Sequence, residues 1–416
     1  MISLVRAILL LTVFLIPLIG AYQGFGYEQI KVAFFVLSNT LIGFLWLFSN
    51  PQIKWTNIKI ASSLFILTLF LTSTLGIDPR ISIFGNSPYF QGLIFYCQLY
   101  LFSLIVSTIN ISFKSWAIVF TASSAIVSLL AIKDWTLLNV FNVQIPNYAG
   151  RVVSTFGQPN FYAGFLLLTL PFFHFFLKKK TSFWPWIMFG FLITILAIIF
   201  SYSRISFLML SLLILFWLIW ELPFRKLIFW VSLIILSIIF VLSINFGAGW
   251  MEKELLELKT TTNPDLTTIG VEKRYYFWPI LGKLVLERPI QGYGLENIAS
   301  VFFGYFEKNK HILFEENLRV QPYMFGLKDL NLDRSHNYIL DLLIFSGILG
   351  LLVWLFLVGL LIKKLIQSPV RAENTSLLLG LFTYLIWIQF QNQSVVHLIY
   401  FWLLLGMIDQ EKTLPG

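Results

Sequence analysis

The chain is a succession of apolar stretches, each close to the ~20 residues that a helix needs to cross a bilayer. Twelve such stretches run over roughly 4–21, 29–48, 58–76, 91–109, 115–132, 160–177, 183–201, 205–220, 227–246, 338–362, 375–390 and 394–408. Hydrocarbon offers no water to backbone N–H and C=O groups, so a spanning segment of this length is helical. Composition supports the point: 12% of the residues are charged and the mean hydropathy is +0.81, against about 25% charged in soluble domains. The expected fold class is an all-α integral membrane protein with about 12 (10–12) transmembrane helices. The first stretch reads as a retained helix rather than a cleaved leader. Tyr22-Gln23-Gly24 is a poor small-residue cleavage site, and further spans follow it.

The formal net charge is +9, a balance that in a soluble chain would suggest nucleic acid. Its distribution argues against that partner. Alternate connections hold Arg6; Lys54 and Lys59; Lys114; Lys178, Lys179 and Lys180; Arg225 and Lys226; Lys363, Lys364 and Arg371; and Lys412. The short connections of the other set hold only Lys31, Arg80, Lys133, Arg151 and Arg204. Such a bias sets orientation in membrane proteins and puts both termini in the cytoplasm. An even number of spans agrees. The expected location is the cytoplasmic (inner) membrane, multi-pass. Cys97 is the single cysteine, so no disulfide forms within the chain.

Length and polarity then accumulate on the outer side, in Gly76–Phe90, Lys133–Asn160 and above all Phe246–Asn337. The expected organisation is helices one to nine over 1–246, an outer lobe over 247–337, and helices ten to twelve with a cytoplasmic tail over 338–416. Within the lobe, Glu272 to Glu287 has helical periodicity, with Tyr275, Trp278, Leu281 and Val285 near one face. Arg288-Pro289 ends that helix and Gly292-Tyr293-Gly294 makes a turn. Leu295–Phe306 is amphipathic and suited to lying in the membrane interface. Asn309–Asp333 has little periodicity and reads as a flap.

His336 is the sharpest candidate for chemistry. With Ser335 as the expected N-cap, its imidazole sits in the first turn of the tenth span, where free N–H groups and the helix dipole disfavour imidazolium. A neutral ring is what a general base needs. The competing reading is an interfacial histidine that only caps a helix, and Asp333 either orients the ring or caps locally. Arg204, in Ser201-Tyr202-Ser203-Arg204, interrupts an apolar run on the outer side. A guanidinium at membrane depth marks a pathway or an anion partner, or else snorkels to the interface. Arg274 beside Lys273 reads by itself as a solvated face, and Arg151 is similar. Together Arg151, Arg204, Arg274 and Arg334 lie on one side near helix ends, which suggests an anionic ligand such as a lipid diphosphate. His174 reads as packing, and His311 and His397 have no partner at ligand spacing. With no carboxylate pair, Cys/His set or phosphate-cradling loop in the sequence, no metal and no cofactor are expected.

Four local motifs, taken in order, resemble the O-antigen ligase/O-antigen polymerase family of bacterial membrane GT-C glycosyltransferases. They are Gly157-Gln158-Pro159-Asn160 entering a span; Ser201-Tyr202-Ser203-Arg204; Arg274-Tyr275-Tyr276-Phe277-Trp278 followed by Pro289-Ile290-Gln291-Gly292-Tyr293-Gly294; and His336-Asn337 with Asp341 and Gly347-Ile348-Leu349-Gly350. The resemblance covers most of the chain. It implies transfer of a glycan from a polyprenyl-diphosphate carrier to an acceptor on the outer membrane face; the expected mechanism is a metal-independent, inverting displacement by an acceptor hydroxyl. It places the family's essential histidine on His336 and its essential arginines on Arg204 and Arg274; Arg151 and Arg334 are further candidates by their position alone. The family divides by acceptor: a glycolipid for ligases, a glycan repeat for polymerases, a protein Ser or Thr for oligosaccharyltransferases. Gln158 resembles the protein-modifying branch, yet the extra C-terminal region often found there is missing. A lipid-linked glycan flippase is the alternative from another class, and a non-catalytic scaffold or sensor is a third. A flippase usually carries its arginines on both sides of the membrane and shows internal repeats; neither is evident here.

Overall fold

A computed structural model describes residues 1–22, 24–148, 150–179, 183–221, 270–305, 308, 332–369 and 371–410, with 216–221 and 270–276 described by backbone alone. In chain order the helices are α1 (Ile2–Leu15), α2 (Tyr27–Leu47), α3 (Asn57–Thr74), the short α4 (Pro79–Phe84), α5 (Leu93–Thr108), α6 (Phe113–Asn139), α7 (Pro159–Lys179), α8 (Trp184–Ile199) and α9 (Arg204–Glu221). After them come α10 (Gly270–Glu287), α11 (Tyr338–Gln367), α12 (Ala372–Trp387) and α13 (Val395–Asp409). Eleven of the twelve expected spans fall on helices. The ninth, 227–246, lies outside the described residues, as does nearly all of the expected flap at 309–333. Among the described residues, five helices are long and apolar enough to cross a membrane (α2, α3, α6, α7 and α11), and shorter apolar helices accompany them. The chain is a helical, multi-pass membrane protein. A two-residue hairpin in the α6–α7 connection pairs β1 (Asn147–Tyr148) with β2 (Arg151–Val152).

The caps follow from residue type. Thr56 accepts from the Lys59 N–H, Asp78 from those of Arg80 and Ile81, and Ser112 from that of Ser115. Each satisfies a donor that the first helical turn leaves free. Helices that are apolar all round belong in the centre. Accordingly α7 is buried from Phe161 to Phe176, and every residue of α13 is buried. The other helices surround these two.

The two ends of the bundle differ in chemistry. At one end, α7 and α12 are joined by Lys179 and Glu373 at 2.9 Å. There the buried Asp409 of α13 takes Lys59 of α3 at 2.7 Å, Lys364 of α11 at 3.3 Å and the Thr56 hydroxyl at 2.8 Å. Lys59, Lys179 and Lys364 of the basic connections fall at this end. At the other, Thr155 donates to the Pro17 carbonyl at 2.6 Å, Asn160 to the Gln391 side chain at 3.1 Å, and the Tyr338 N–H to the Ile388 carbonyl at 3.1 Å. Arg151, Arg204, Arg334 and His336 belong to this second end.

Helix α11 is broken at Gly347, whose φ of 62° and ψ of −164° lie outside the helical region. The carbonyls of Ile344 and Phe345 accept instead from the N–H groups of Tyr293 and Gly294, at 2.7 and 2.9 Å. The Ile348 N–H donates to the Pro289 carbonyl at 2.7 Å. The segment after α10 therefore enters the bundle and completes the interrupted ladder. Space is tight enough that a Cβ on Gly347 would sit 2.2 Å from the Ile290 carbonyl oxygen, and one on Gly292 2.6 Å from that of Ile344.

One local expectation needs correction. The helix starts at Tyr338 with Asn337 as its cap, accepting from the Leu340 N–H at 3.0 Å, so His336 precedes the helix instead of sitting in its first turn. Ser335 is spent earlier: its Oγ bonds both the N–H and the carbonyl of Asn337. The described part of Leu295–Phe306 packs on the bundle. Leu295, Ile298 and Phe302 are buried together with Glu296 and Asn297, because the amphipathic face is turned onto the helix ends.

Alanine at Gly347 is expected to lower stability in detergent by about 2–4 kcal/mol, from a strained φ and an overpacked contact. Alanine at Gly359, on the same helix with open space around it, is expected to change it by no more than about 1 kcal/mol. Chemical denaturation of both variants beside wild type checks the contrast.

Candidate active site

His336 sits on a short, over-determined loop. Its φ is +59°, uncommon for a residue with a Cβ and costing of order 1 kcal/mol or more unless its neighbours hold it. The neighbours do. Upstream, Arg334 is 5% exposed. Its guanidinium forms an ion pair with the buried Glu296, donates to the Gln91 side chain at 3.1 Å, and stacks over the rings of Tyr89 and Phe345, each 5.1 Å from the centroid. The Ser335 N–H donates to the Asp341 carboxylate at 2.8 Å, and the Trp278 indole donates to the Ser335 carbonyl at 2.8 Å. Downstream, Asn337 caps α11 and donates to the Gln389 carbonyl at 3.2 Å.

The Trp278 contact fixes where α10 lies. Arg274 is one turn earlier on that helix, so the backbone brings the position bearing Arg274 to the neighbourhood of the His336 loop. Its side chain lies outside the described residues.

Arg151 and Arg204 meet at a different corner of the same end. Arg151 Nη1 donates to the Tyr202 carbonyl at 3.4 Å, and Tyr202, with φ +49°, turns the chain into Arg204 at the start of α9. Trp135 braces the turn, stacked on Phe200 at 4.1 Å and donating to the Tyr202 hydroxyl at 3.3 Å. Arg204 itself is exposed. The two corners are linked through α12: α9 packs on α7 and α12, and the connection after α12 holds Asn337, Tyr338 and Asn160.

Several residues of this end escaped the sequence reading. Glu296 had no signal beyond following Gly292-Tyr293-Gly294 in a loop of near-neutral charge. Gln91 and Tyr89 are ordinary loop residues by sequence. Glu28 and Lys31 did carry one, an acid and a base one turn apart in an apolar stretch, where charges are expensive. Glu28 accepts from the Val395 N–H at the start of α13, at 2.7 Å. Lys31 is fully buried, donates to the Thr155 carbonyl at 2.7 Å and lies over the Phe156 ring. The pair thus anchors the chain just before Gly157-Gln158-Pro159-Asn160. His397, also fully buried, is stacked on Trp387 and hydrogen-bonded to Ser394, a packing role.

The electrostatics of the loop are set by burial. Asp333 is pushed up to about 6, chiefly by burial and against the pull of the adjacent Arg334. For Arg334, burial works against the charge, but Glu296 and Asp341 more than offset it and hold the guanidinium protonated.

Comparison with known families matches residues 189–355 to the O-antigen ligase family. The matched stretch includes Arg204, Arg274, Arg334, His336 and the Gly292–Gly347 junction; Arg151 lies before it. No curated protein matches the chain.

A carboxyl raised in the folded state stabilises below its unfolded pKa near 4 and loses that contribution as pH rises through about 6. Asp333→Asn is therefore expected to stabilise the protein relative to wild type at pH 7.5, by up to about 3 kcal/mol, with the gain vanishing towards pH 4. Denaturation in detergent at several pH values measures it.

Proposed function

We propose, from the match of residues 189–355 to the O-antigen ligase family, that the chain is a membrane glycosyltransferase acting on a polyprenyl-diphosphate-linked glycan. His336 takes the proton from the acceptor hydroxyl as its oxygen attacks the anomeric carbon. The bond from that carbon to the diphosphate oxygen breaks, with inversion. Arg204 and Arg274 bind the diphosphate and stabilise the charge that grows on it as it leaves, which is where fixed cationic donors contribute most. Arg151 supports them by holding the Tyr202 carbonyl at the turn into Arg204. Arg334 is assigned to the scaffold, because Glu296 already neutralises it.

The observation that carries this reading is the hydrogen bond from Trp278 to the Ser335 carbonyl. It sets the helix of Arg274 against the loop of His336, at the bundle end that also carries Arg204. A base beside an anion site is the arrangement that glycan transfer from a diphosphate requires. In the membrane, we infer that both termini face the cytoplasm, that the chain crosses about twelve times, and that this end faces outward. The bundle end rich in lysine and arginine supports that orientation. The acceptor is a hydroxyl of a glycolipid, a growing glycan or a protein.

Purified protein in liposomes, given a polyprenyl-diphosphate oligosaccharide and each acceptor class in turn, is expected to release free polyprenyl diphosphate and form a glycosylated acceptor. His336→Ala is expected to lower kcat by about 10²-fold or more, and Arg204→Ala to lower kcat/KM by about 10²-fold. Undiminished transfer by the His336→Ala protein removes the base assignment. Movement of intact lipid across the vesicle without cleavage replaces the enzyme with a flippase.

A further inference from the structure

We infer that Glu296 is a positioning residue for His336, acting through Arg334, so that the segment following α10 sets the geometry of the base. The inference deepens the proposed transfer reaction and rests on it for its kinetic part. Glu296 is buried at 6% exposure, has a φ of +62°, and makes its ion pair with a guanidinium that is itself 5% exposed. A buried, hydrogen-bonded charge pair holds its geometry far better than an exposed one, and removing one partner leaves a charge stranded in low dielectric. Arg334 is two residues before His336 and is confined on its remaining sides by Gln91, Tyr89 and Phe345. Its backbone therefore has little freedom while the pair is intact, and the positive φ of His336 is held between Arg334 and the Asn337 cap.

The other end of the lever is equally fixed. Glu296 is two residues past Gly294, whose N–H is bonded to the carbonyl of Phe345 in the broken part of α11. Asn297 donates to the Tyr293 carbonyl at 2.9 Å and to Ser82 at 2.8 Å. The carboxylate is thus carried on a backbone locked to α11 and to the α3–α5 connection. The Trp278 contact ties α10 to the same loop from the opposite side in sequence. A shift of α10 would then reach the imidazole by two routes, the indole and the carboxylate.

The test compares wild type with Glu296→Gln, which keeps shape and removes charge, and Glu296→Asp, which keeps charge. Two readouts are used: kcat and KM for glycan transfer, and the rate of diethyl pyrocarbonate modification at His336, resolved from other histidines by peptide mass spectrometry. Glu296→Gln is expected to lower kcat by about 10- to 100-fold through misplacement of the base, with little change in KM. Modification at His336 is expected to speed up several-fold, while the buried His174 and His397 stay protected. Glu296→Asp is expected to recover part of both. A Glu296→Gln protein with wild-type kcat and wild-type labelling at His336 overturns the inference. So does one in which His174 and His397 become labelled as well, since the effect is then general unfolding. If wild type itself transfers no glycan, the reaction assignment fails, and the labelling contrast still decides the positioning role.

Discussion

A polypeptide in apolar surroundings cannot leave its backbone hydrogen-bonding groups free, and the arrangement of the His336 end of the bundle turns on how it meets that constraint at Gly347. Breaking α11 there frees carbonyls and N–H groups that water cannot serve. The chain serves them with Pro289, Tyr293 and Gly294. Irregular backbone in such surroundings is tolerated only where protein covers it, and this segment is the cover. Once Tyr293 and Gly294 are bonded to α11, Glu296 has nowhere else to be, Arg334 has its counter-charge, and the loop of His336 is drawn tight. The glycines are needed on both strands of the contact, since a Cβ at Gly347 or at Gly292 would overlap a carbonyl.

Charge is managed differently at the two ends. At the basic end, the single carboxylate of Asp409 ties three helices by taking Lys59 and Lys364. At the other end, Glu296 with Arg334 is likewise a buried pair, and pairs of that kind specify geometry more reliably than they add stability. At the other corner of that end, the guanidinium of Arg151 holds a backbone carbonyl and that of Arg204 is exposed. The contrast is between an arginine buried in the scaffold and one that is exposed.

How far this was legible in advance varies by kind of residue. The helices were readable because a membrane span is a length and a hydropathy, both local properties. The cap of α11 was misassigned because Ser335 and Asn337 are both good capping residues two positions apart. Only the bond from Asn337 to the Leu340 N–H and the diversion of Ser335 to Asn337 separate them. Leu295–Phe306 was correctly seen as two-faced, but amphipathicity does not say whether the apolar face meets lipid or protein. His336 and Arg204 stood out as polar groups at helix boundaries. Glu296 did not, because one acid in a loop of balanced charge looks like any other.

Sequence alone was sufficient for the all-helical membrane class, the segregation of basic residues to alternate connections, and the family motifs, because each depends on residues close together in the chain. The tertiary structure decided which arginine is spent and which is exposed, where α11 truly begins, and that a segment some fifty residues before Gly347 repairs its broken ladder. Those outcomes depend on pairs far apart in sequence and buried together. A buried charge or an open carbonyl takes whichever partner the packing brings within reach, and nothing in its own neighbourhood of the chain says which partner that is.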